Sequence, residues 1–414
     1  MIAASANGIS YTGDYLAITA LLLAIQAAGD RGTGVAWLWI ATSLPIAVLA
    51  PIAGRLVDRV DSRALLVSVG AAQTLCCLCL AFTTSAGIRI GLVALLAAGL
   101  AVTSTTFAAL VPAMAGREHL GRAVAVTQTA TSAGALAGPA LAGILYSVGG
   151  PRLSLLIDTG SYLAITLAGL AISTRRNARQ ASVDRGGGPA GTTAVVAGSQ
   201  PAYSHGWRLV DDRLLVPVFA LFGLALCAVS AINVAEVFFV RGRLHAPAGA
   251  FGAVAAVWMA ALLVGAWLVP RWSRSDAVLA RALVVAVGLE SVAILVAGSV
   301  PTVGWYAVLC CLGGLGNGAL GSAIVVLIGR RTPAAALGRA HSIRIGVANV
   351  ASLFGFSVGG ALVDRIPAGQ VISGCGAVGL LVAGVLAAPV LLAVRRTPVG
   401  TSGPAGQPVT VTPQ

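Results

Sequence analysis

Lysine is absent from this chain, and charge of either sign is scarce: 26 arginines and 13 acids make up 9% of 414 residues, while 57% are apolar. An ordinary globular domain carries about a quarter charged residues, so a water-facing fold is excluded. Histidine is rare as well. His119, His205, His245 and His341 lie apart, in or beside polar segments, and no metal cluster is expected. All seven cysteines fall inside apolar stretches, and "CCLC" at 76–79 has neither histidine nor acid beside it. They read as small packing residues rather than a disulfide framework. The long polar loop that opens "TRRNARQ" lacks the G-x-x-x-x-G-K-S/T phosphate cradle, so nucleotide-driven work is not expected. No buried Ser/His, Cys/His or metal constellation is available for an intramembrane enzyme, and no cofactor is implied.

What the chain does have is apolar length. A helix needs roughly 20 mostly apolar residues to cross a bilayer, because its backbone polar groups must be bonded within the segment. Twelve such spans fit, near 8–28, 35–54, 64–83, 90–112, 123–147, 153–173, 214–238, 250–270, 278–298, 303–327, 342–363 and 371–394. They predict an all-α protein of twelve transmembrane helices. The first span begins within ten residues and no small-residue cleavage site follows it, so it is expected to remain as a membrane helix.

The net charge of +13 raises the question of nucleic acid. The arginines answer it by their placement. Nineteen fall in one set of alternate loops and the tail, six in the opposite loops, and Arg344 just inside span eleven. Positive charge stays cytoplasmic on insertion. Both termini and the middle loop are therefore expected in the cytoplasm, the basic charge is a topology signal, and the partner is the lipid bilayer rather than nucleic acid. The lack of lysine beside abundant alanine and glycine points to a GC-rich bacterial genome and hence to a bacterial inner membrane.

The expected organisation is a six-span bundle over 1–173, a Gly-rich cytoplasmic linker over 174–212, a second six-span bundle over 213–396 and a disordered tail over 397–414. Within the stretch "WRLVDDRLLVPVF" a short amphipathic helix at the membrane face is expected before span seven. The halves resemble each other: "LGRA" at 120–123 recurs at 337–340, and the same shift of 217 places Gly138 on Gly355 and Gly143 on Gly360.

"GRLVDRVDSR" at 54–63 sets five charged side chains in ten positions between spans two and three. Gly54, Asp58, Arg59 and Arg63 match the loop pattern G-x-x-x-D-R-x-G-R-R, and Asp61 and Ser62 depart from it. With six plus six spans and a cytoplasmic middle loop, the chain resembles the major facilitator superfamily across essentially its whole length. The resemblance implies two pseudo-symmetric six-helix bundles that alternate access to a central cavity. It also implies that the 54–63 cluster latches the cytoplasmic side, with Asp58 accepting from the end of a helix of the other half. A solvated loop is the plainer alternative.

"GALAGPALAG" in span five, with Gly134, Gly138, Pro139 and Gly143, is similar to the core of the motif that marks antiporters of that superfamily. Proline removes a backbone donor and glycine permits close helix approach, which suits a moving interface. Plain small-residue packing would use the same residues. "GDYLAITALLL", "GPALAGILYSVGG" and "INVAEVFFVRGRLHA" look like the macrolide-efflux and enterobactin-exporter branch, which implies export.

Ionisable groups in hydrocarbon cost about 2.5–3.5 kcal/mol each on insertion scales, so the intramembrane acids are functional candidates. These are Asp14, Asp158, Glu236 and Glu290. The resemblance places spans one, four, seven and ten around the cavity, so Asp14 and Glu236 rank first as carboxyls that bind a proton and release it when substrate enters. Two alternatives stay open: Glu236 pairing with Arg241, and Asp14 satisfied by Tyr11 or a neighbouring helix. Asp158 and Glu290 are expected to be structural, Glu290 otherwise interfacial. Gln128, Asn233 and Asn317 are candidate cavity residues, as is Arg344, which either attracts an anionic group or snorkels to the interface. Thr103, Ser104 and Thr106 either shape the cavity or bond back to their own helix. The reading is a monomeric secondary transporter, with a proton-coupled exporter of a small amphipathic or hydrophobic compound ahead of a cation-coupled importer or a non-transporting sensor.

Overall fold

The computed structural model describes residues 2–171, 208–272, 275–333 and 336–396. Among these, every regular element is helical. Span one is Ile2–Ala27, span two Gly32–Arg59 and span three Ser62–Phe82. One helical stretch, Ala86–Ala171, carries spans four, five and six. Span seven is Leu215–Val237, prolonged by a π-helical turn at Phe238–Arg243. Spans eight to twelve are Ala248–Trp272, Asp276–Ala297, Val303–Arg331, Leu337–Val363 and Ala368–Arg396.

The Ala86–Ala171 stretch has 86 residues and would be about 130 Å long if straight, several times the thickness of a bilayer core. Its contacts show that it folds back. Gly138 lies against Thr12, Tyr15 and Leu16, while Tyr162 bonds to Asp14. Those two residues of span five and six meet the same turns of span one, so the chain reverses between them. It does so at Gly150, whose φ of +64° is open to glycine but strained for other residues, just before Pro151. Span three shows a further passage: Gln73 donates to the Leu96 carbonyl at 3.2 Å and the Cys77 thiol to the Leu155 carbonyl at 3.4 Å. Eleven described helices are long and apolar enough to cross a membrane. One of them, the 46-residue Ala125–Leu170, holds two passages, which brings the total to twelve.

Helix ends follow local chemistry. Asp61 is the N-cap of span three and accepts from the Arg63 N–H at 3.4 Å, while Val60 turns the backbone extended after span two. The expected amphipathic helix before span seven is instead a 3₁₀ turn, Leu209–Asp211. The reason is Asp212, whose Oδ1 accepts from the N–H groups of Leu214 at 2.9 Å and Leu215 at 3.0 Å, capping span seven at that point. Most of the expected linker and the whole of the expected tail lie outside the described residues.

The two halves pack by the same rules. Gly134 and Gly138 of span five fit against Gly8, Thr12 and Tyr15 of span one. Gly355 and Gly359 of span eleven fit against Cys227, Ser230 and Ala231 of span seven. Across the halves, Gly143 meets Ala248 and Gly249 of span eight, and Gly360 meets Gly32 and Ala36 of span two. The shift of 217 that pairs Gly138 with Gly355 and Gly143 with Gly360 also pairs Gly32 with Gly249. The repeat is thus a repeat of contacts as well as of letters.

Candidate functional site

Asp14 sits at mid-length in span one, half-buried, and its Oδ1 accepts from the Tyr162 hydroxyl at 2.5 Å. Its Oδ2 is buried with no partner among the described residues. The satisfying group therefore comes from span six and not from Tyr11. The same polar island of span six, "DTGSY" at 158–162, holds Asp158, which is 1% exposed. Asp158 Oδ1 accepts from Ser161 at 2.8 Å and its Oδ2 from the Cys77 thiol at 3.5 Å. Gly13 makes this possible, since a Cβ there would collide with Asp158 and Ser161.

Glu236 of span seven accepts from the Tyr306 hydroxyl of span ten through a long contact of 3.4 Å. The Tyr306 ring packs on Phe239 at 5.1 Å between centroids. Among the described residues no ion pair joins Glu236 to Arg241. The wider turn at Phe238–Arg243 alters the direction of each side chain, and Arg241 donates instead to the Ala246 carbonyl at 2.7 Å. Asn233 lies half-buried one turn below Glu236.

Asn317 shares a face of span ten with Tyr306, eleven positions earlier and thus three turns away. Its amide, however, donates to Glu290 of span nine at 2.9 Å. Glu290 is 2% exposed, which removes the interfacial alternative, and its Oε2 is buried with no partner among the described residues. Gly316 brings spans nine and ten together there, against Ala286 and Glu290.

Gln128 of span five is exposed. Arg344 is half-buried, with its Nε lacking a partner among the described residues, and Val347, one turn on, packs against Gly223 of span seven. The hydroxyls of Thr103, Ser104 and Thr106 all bond back to carbonyls of their own helix. In the cluster between spans two and three, Arg59 is exposed, Gly54 and Arg63 are half-buried, and the side chain of Asp58 lies outside the described residues.

The contacts between halves gather at the end of the bundle that carries the 28–31, 244–247 and 364–367 loops, away from the 54–63 cluster. Pro139 and Gly143 meet Gly252. Trp39 stacks on Phe356 with centroids 5.4 Å apart and planes 11° from parallel. The N–H of Gly32, in the first turn of span two, donates to Asp364 Oδ1 at 2.5 Å. At the opposite end the described ion pairs stay within the second half: Arg331 reaches Asp212 at 2.9 Å and Asp276 at 3.0 Å. One end is closed across the halves.

Sequence reasoning singled out the acids but not their partners Tyr162 and Tyr306, nor Asp364. The available signal was the polar run at 158–162 inside an otherwise apolar span.

No protein with a curated description matches the chain. In three dimensions it is similar to the crystal structure of the nucleoside transporter NupG, with a TM-score of 0.70 over 94% of this chain and 100% of that one. Identity is 11%, so that likeness speaks for the fold alone. Residues 3–289 match the Major Facilitator Superfamily. With a majority of its length in that match and the fold to go with it, the chain belongs to the Major Facilitator Superfamily and is a transporter, not an enzyme.

Proposed function

We propose that this chain is a proton-coupled exporter of a small amphipathic or hydrophobic compound, a drug or a secondary metabolite, working as a monomer by alternating access. Its place in this reading is a bacterial inner membrane, with both termini and the linker of 174–212 in the cytoplasm. The observation that carries it is Asp14: a carboxyl within a membrane span, one oxygen held by Tyr162 and the other buried without a partner among the described residues. A group so placed can take a proton from one side and release it to the other when a substrate displaces it. Glu236, on its long bond to Tyr306, is the corresponding carboxyl of the second half. Asn233, Gln128, Asn317 and Arg344 are its supporting polar groups, with Asn317 acting through Glu290.

The antiporter-like motif supports the direction. Its glycines place span five against span one on one side and against span eight on the other, so any change in how the halves meet is felt at Asp14. Gly54, Asp58, Arg59 and Arg63 are assigned the role of a latch for the cytoplasmic end in the opposite conformation.

The test is proton flux in proteoliposomes bearing a pH gradient and an enclosed pH-sensitive dye, with amphipathic cations, neutral hydrophobic drugs and nucleosides added in turn. Addition of an amphipathic or hydrophobic compound should elicit proton movement. Asp14→Asn should reduce it at least tenfold and Glu236→Gln should reduce it several-fold, with expression unchanged. Accumulation of a compound along the inward proton gradient would replace export by import. Normal flux in both variants would remove these acids from coupling.

A further inference from the structure

Two carboxyls, one buried and one half-buried, lie at the contact of spans one and six. Asp158 and Tyr162 are one turn apart on span six. The first presses on Gly13 and the second is bonded to Asp14, the next residue along span one. We propose that Asp158 is a second proton-exchanging carboxyl that works as one unit with Asp14, so that the proton carried in a transport cycle belongs to the pair. The inference rests on the coupling role proposed above for Asp14.

The surroundings leave the pair to itself. From span one, Tyr11 and Tyr15 flank Asp14. Span three presents Cys77, whose thiol donates to Asp158. Span six presents Tyr162 and Ser161, and span five meets span one through Gly134 and Gly138, which carry no charge. Among the described residues no ion pair reaches either acid. Two neighbouring carboxylates without a counter-cation repel when both are ionised, so their protons leave in two steps that belong to the pair.

The arrangement also divides the labour. Asp158 has both oxygens hydrogen-bonded and is sealed from the surface, whereas Asp14 is half-buried with one oxygen unpartnered. Asp14 is therefore the member that exchanges with the cavity. Asp158 is the positioning member, and in a site without a counter-cation the proton of each acid depends on the charge of the other. Gly13 is what holds them together, because a side chain there would push span six away.

The experiment reads proton binding directly, without a substrate. The purified full-length protein, Asp14→Asn, Asp158→Asn and the double variant are titrated in detergent, and the carbonyl stretch of protonated carboxyls is followed by infrared difference spectroscopy. Asparagine at 158 keeps one acceptor oxygen, for Ser161, while the Cys77 thiol retains the Leu155 carbonyl, and thermal unfolding of each variant reports any loss of fold. A coupled pair requires the later-ionising acid to lose about one pH unit or more from its midpoint when its neighbour is replaced, a tenfold change in proton affinity, while the earlier-ionising acid keeps its own. Linkage requires the two wild-type midpoints to sum to more than the two single-variant midpoints by that same shift. Midpoints of both remaining acids that stay within a few tenths of a unit of the wild-type steps overturn the proposal, as do single variants that lose thermal stability with neither midpoint moved. Absent pH-driven flux with coupled midpoints would count against the exporter reading alone.

Discussion

Removing the Asp364 carboxylate should open the closed end of the bundle. Gly32 is in the first turn of span two, where backbone N–H groups have no partner within the helix, and its N-cap Arg31 offers no side-chain bond. Asp364, from the loop after span eleven, supplies that bond from the other half at 2.5 Å, and the helix dipole favours its negative charge. A hydrogen bond to a charged group contributes about 1.5–3 kcal/mol when shielded. Asp364 is exposed, so solvent screening reduces this to about 1 kcal/mol. The halves meet there also through glycine contacts and the Trp39–Phe356 stack, and this clasp adds a hydrogen bond to them. One kcal/mol corresponds to about a fivefold change in the ratio of closed to open forms. The assay uses Val35→Cys, a position with 0% exposure at the closed end, and the rate at which a membrane-impermeant maleimide labels it. In an Asp364→Ala background the rate should rise about fivefold, and with Asp364→Asn, which keeps an acceptor, it should rise less. Equal labelling in all three proteins would refute the clasp.

Two further outcomes follow from the same geometry. Gly252→Val places a side chain against the Pro139 carbonyl. This overpacking should cost about 1–3 kcal/mol and speed labelling of Val35→Cys, whereas a variant that labels at the parent rate would show that spans five and eight do not bear on closure. Arg331→Gln breaks bonds to Asp212 and Asp276, so the ends of spans seven, nine and ten lose their tie. The expected loss is about 1–3 kcal/mol, read as a lower unfolding temperature in detergent, and an unchanged temperature in low salt would show the network to be idle.

Apolar length alone made most of the fold legible. Spans were visible because hydrocarbon forces every backbone group into a helix, and the repeat was visible because glycines at 138, 143, 355 and 360 are fixed by contacts that the fold makes twice. Neighbours were less legible. A helix's period shows which residues share a face, but not which helix that face meets. Asp14 finds its donor 148 positions away in Tyr162, and Glu236 finds its own 70 positions away in Tyr306. Asn317 shows the limit most directly: its place in span ten suggested a cavity group, yet the close approach at Gly316 turns its amide to Glu290. The 3₁₀ turn at Leu209–Asp211 escaped for a local reason, because a single capping side chain, Asp212, outweighs the helical propensity of what precedes it.

At the closed end buried apolar side chains such as Val35, Leu38 and Phe356 are joined by close backbone approach, and lipid explains why the approach matters. Helices gain little by hiding apolar side chains from other apolar groups, so association rests on close packing and hydrogen bonds. Gly360 against Gly32, Gly143 against Gly249 and Gly252 against Pro139 supply the first, and Asp364 the second. The two seams are equivalent by the internal repeat but not in chemistry. The shift of 217 carries Asp364 onto Ser147, whose hydroxyl is spent on the Ile144 carbonyl of its own helix at 2.6 Å. The seam between spans two and eleven therefore has a polar clasp in addition to its glycines, and the seam between spans five and eight has packing alone. A transporter must pass between its forms many times, which requires that neither be favoured by more than a few kcal/mol. One solvent-exposed clasp beside two glycine seams meets that requirement, since it biases the closed form without holding it there. The weaker seam is the one built on Pro139 and Gly143, and the same helix lies on span one through Gly134 and Gly138 at the level of Thr12 and Tyr15. Opening that begins at the weaker seam consequently moves the helix that packs beside Asp14, which ties the access change to the carboxyl without any contact between the two seams.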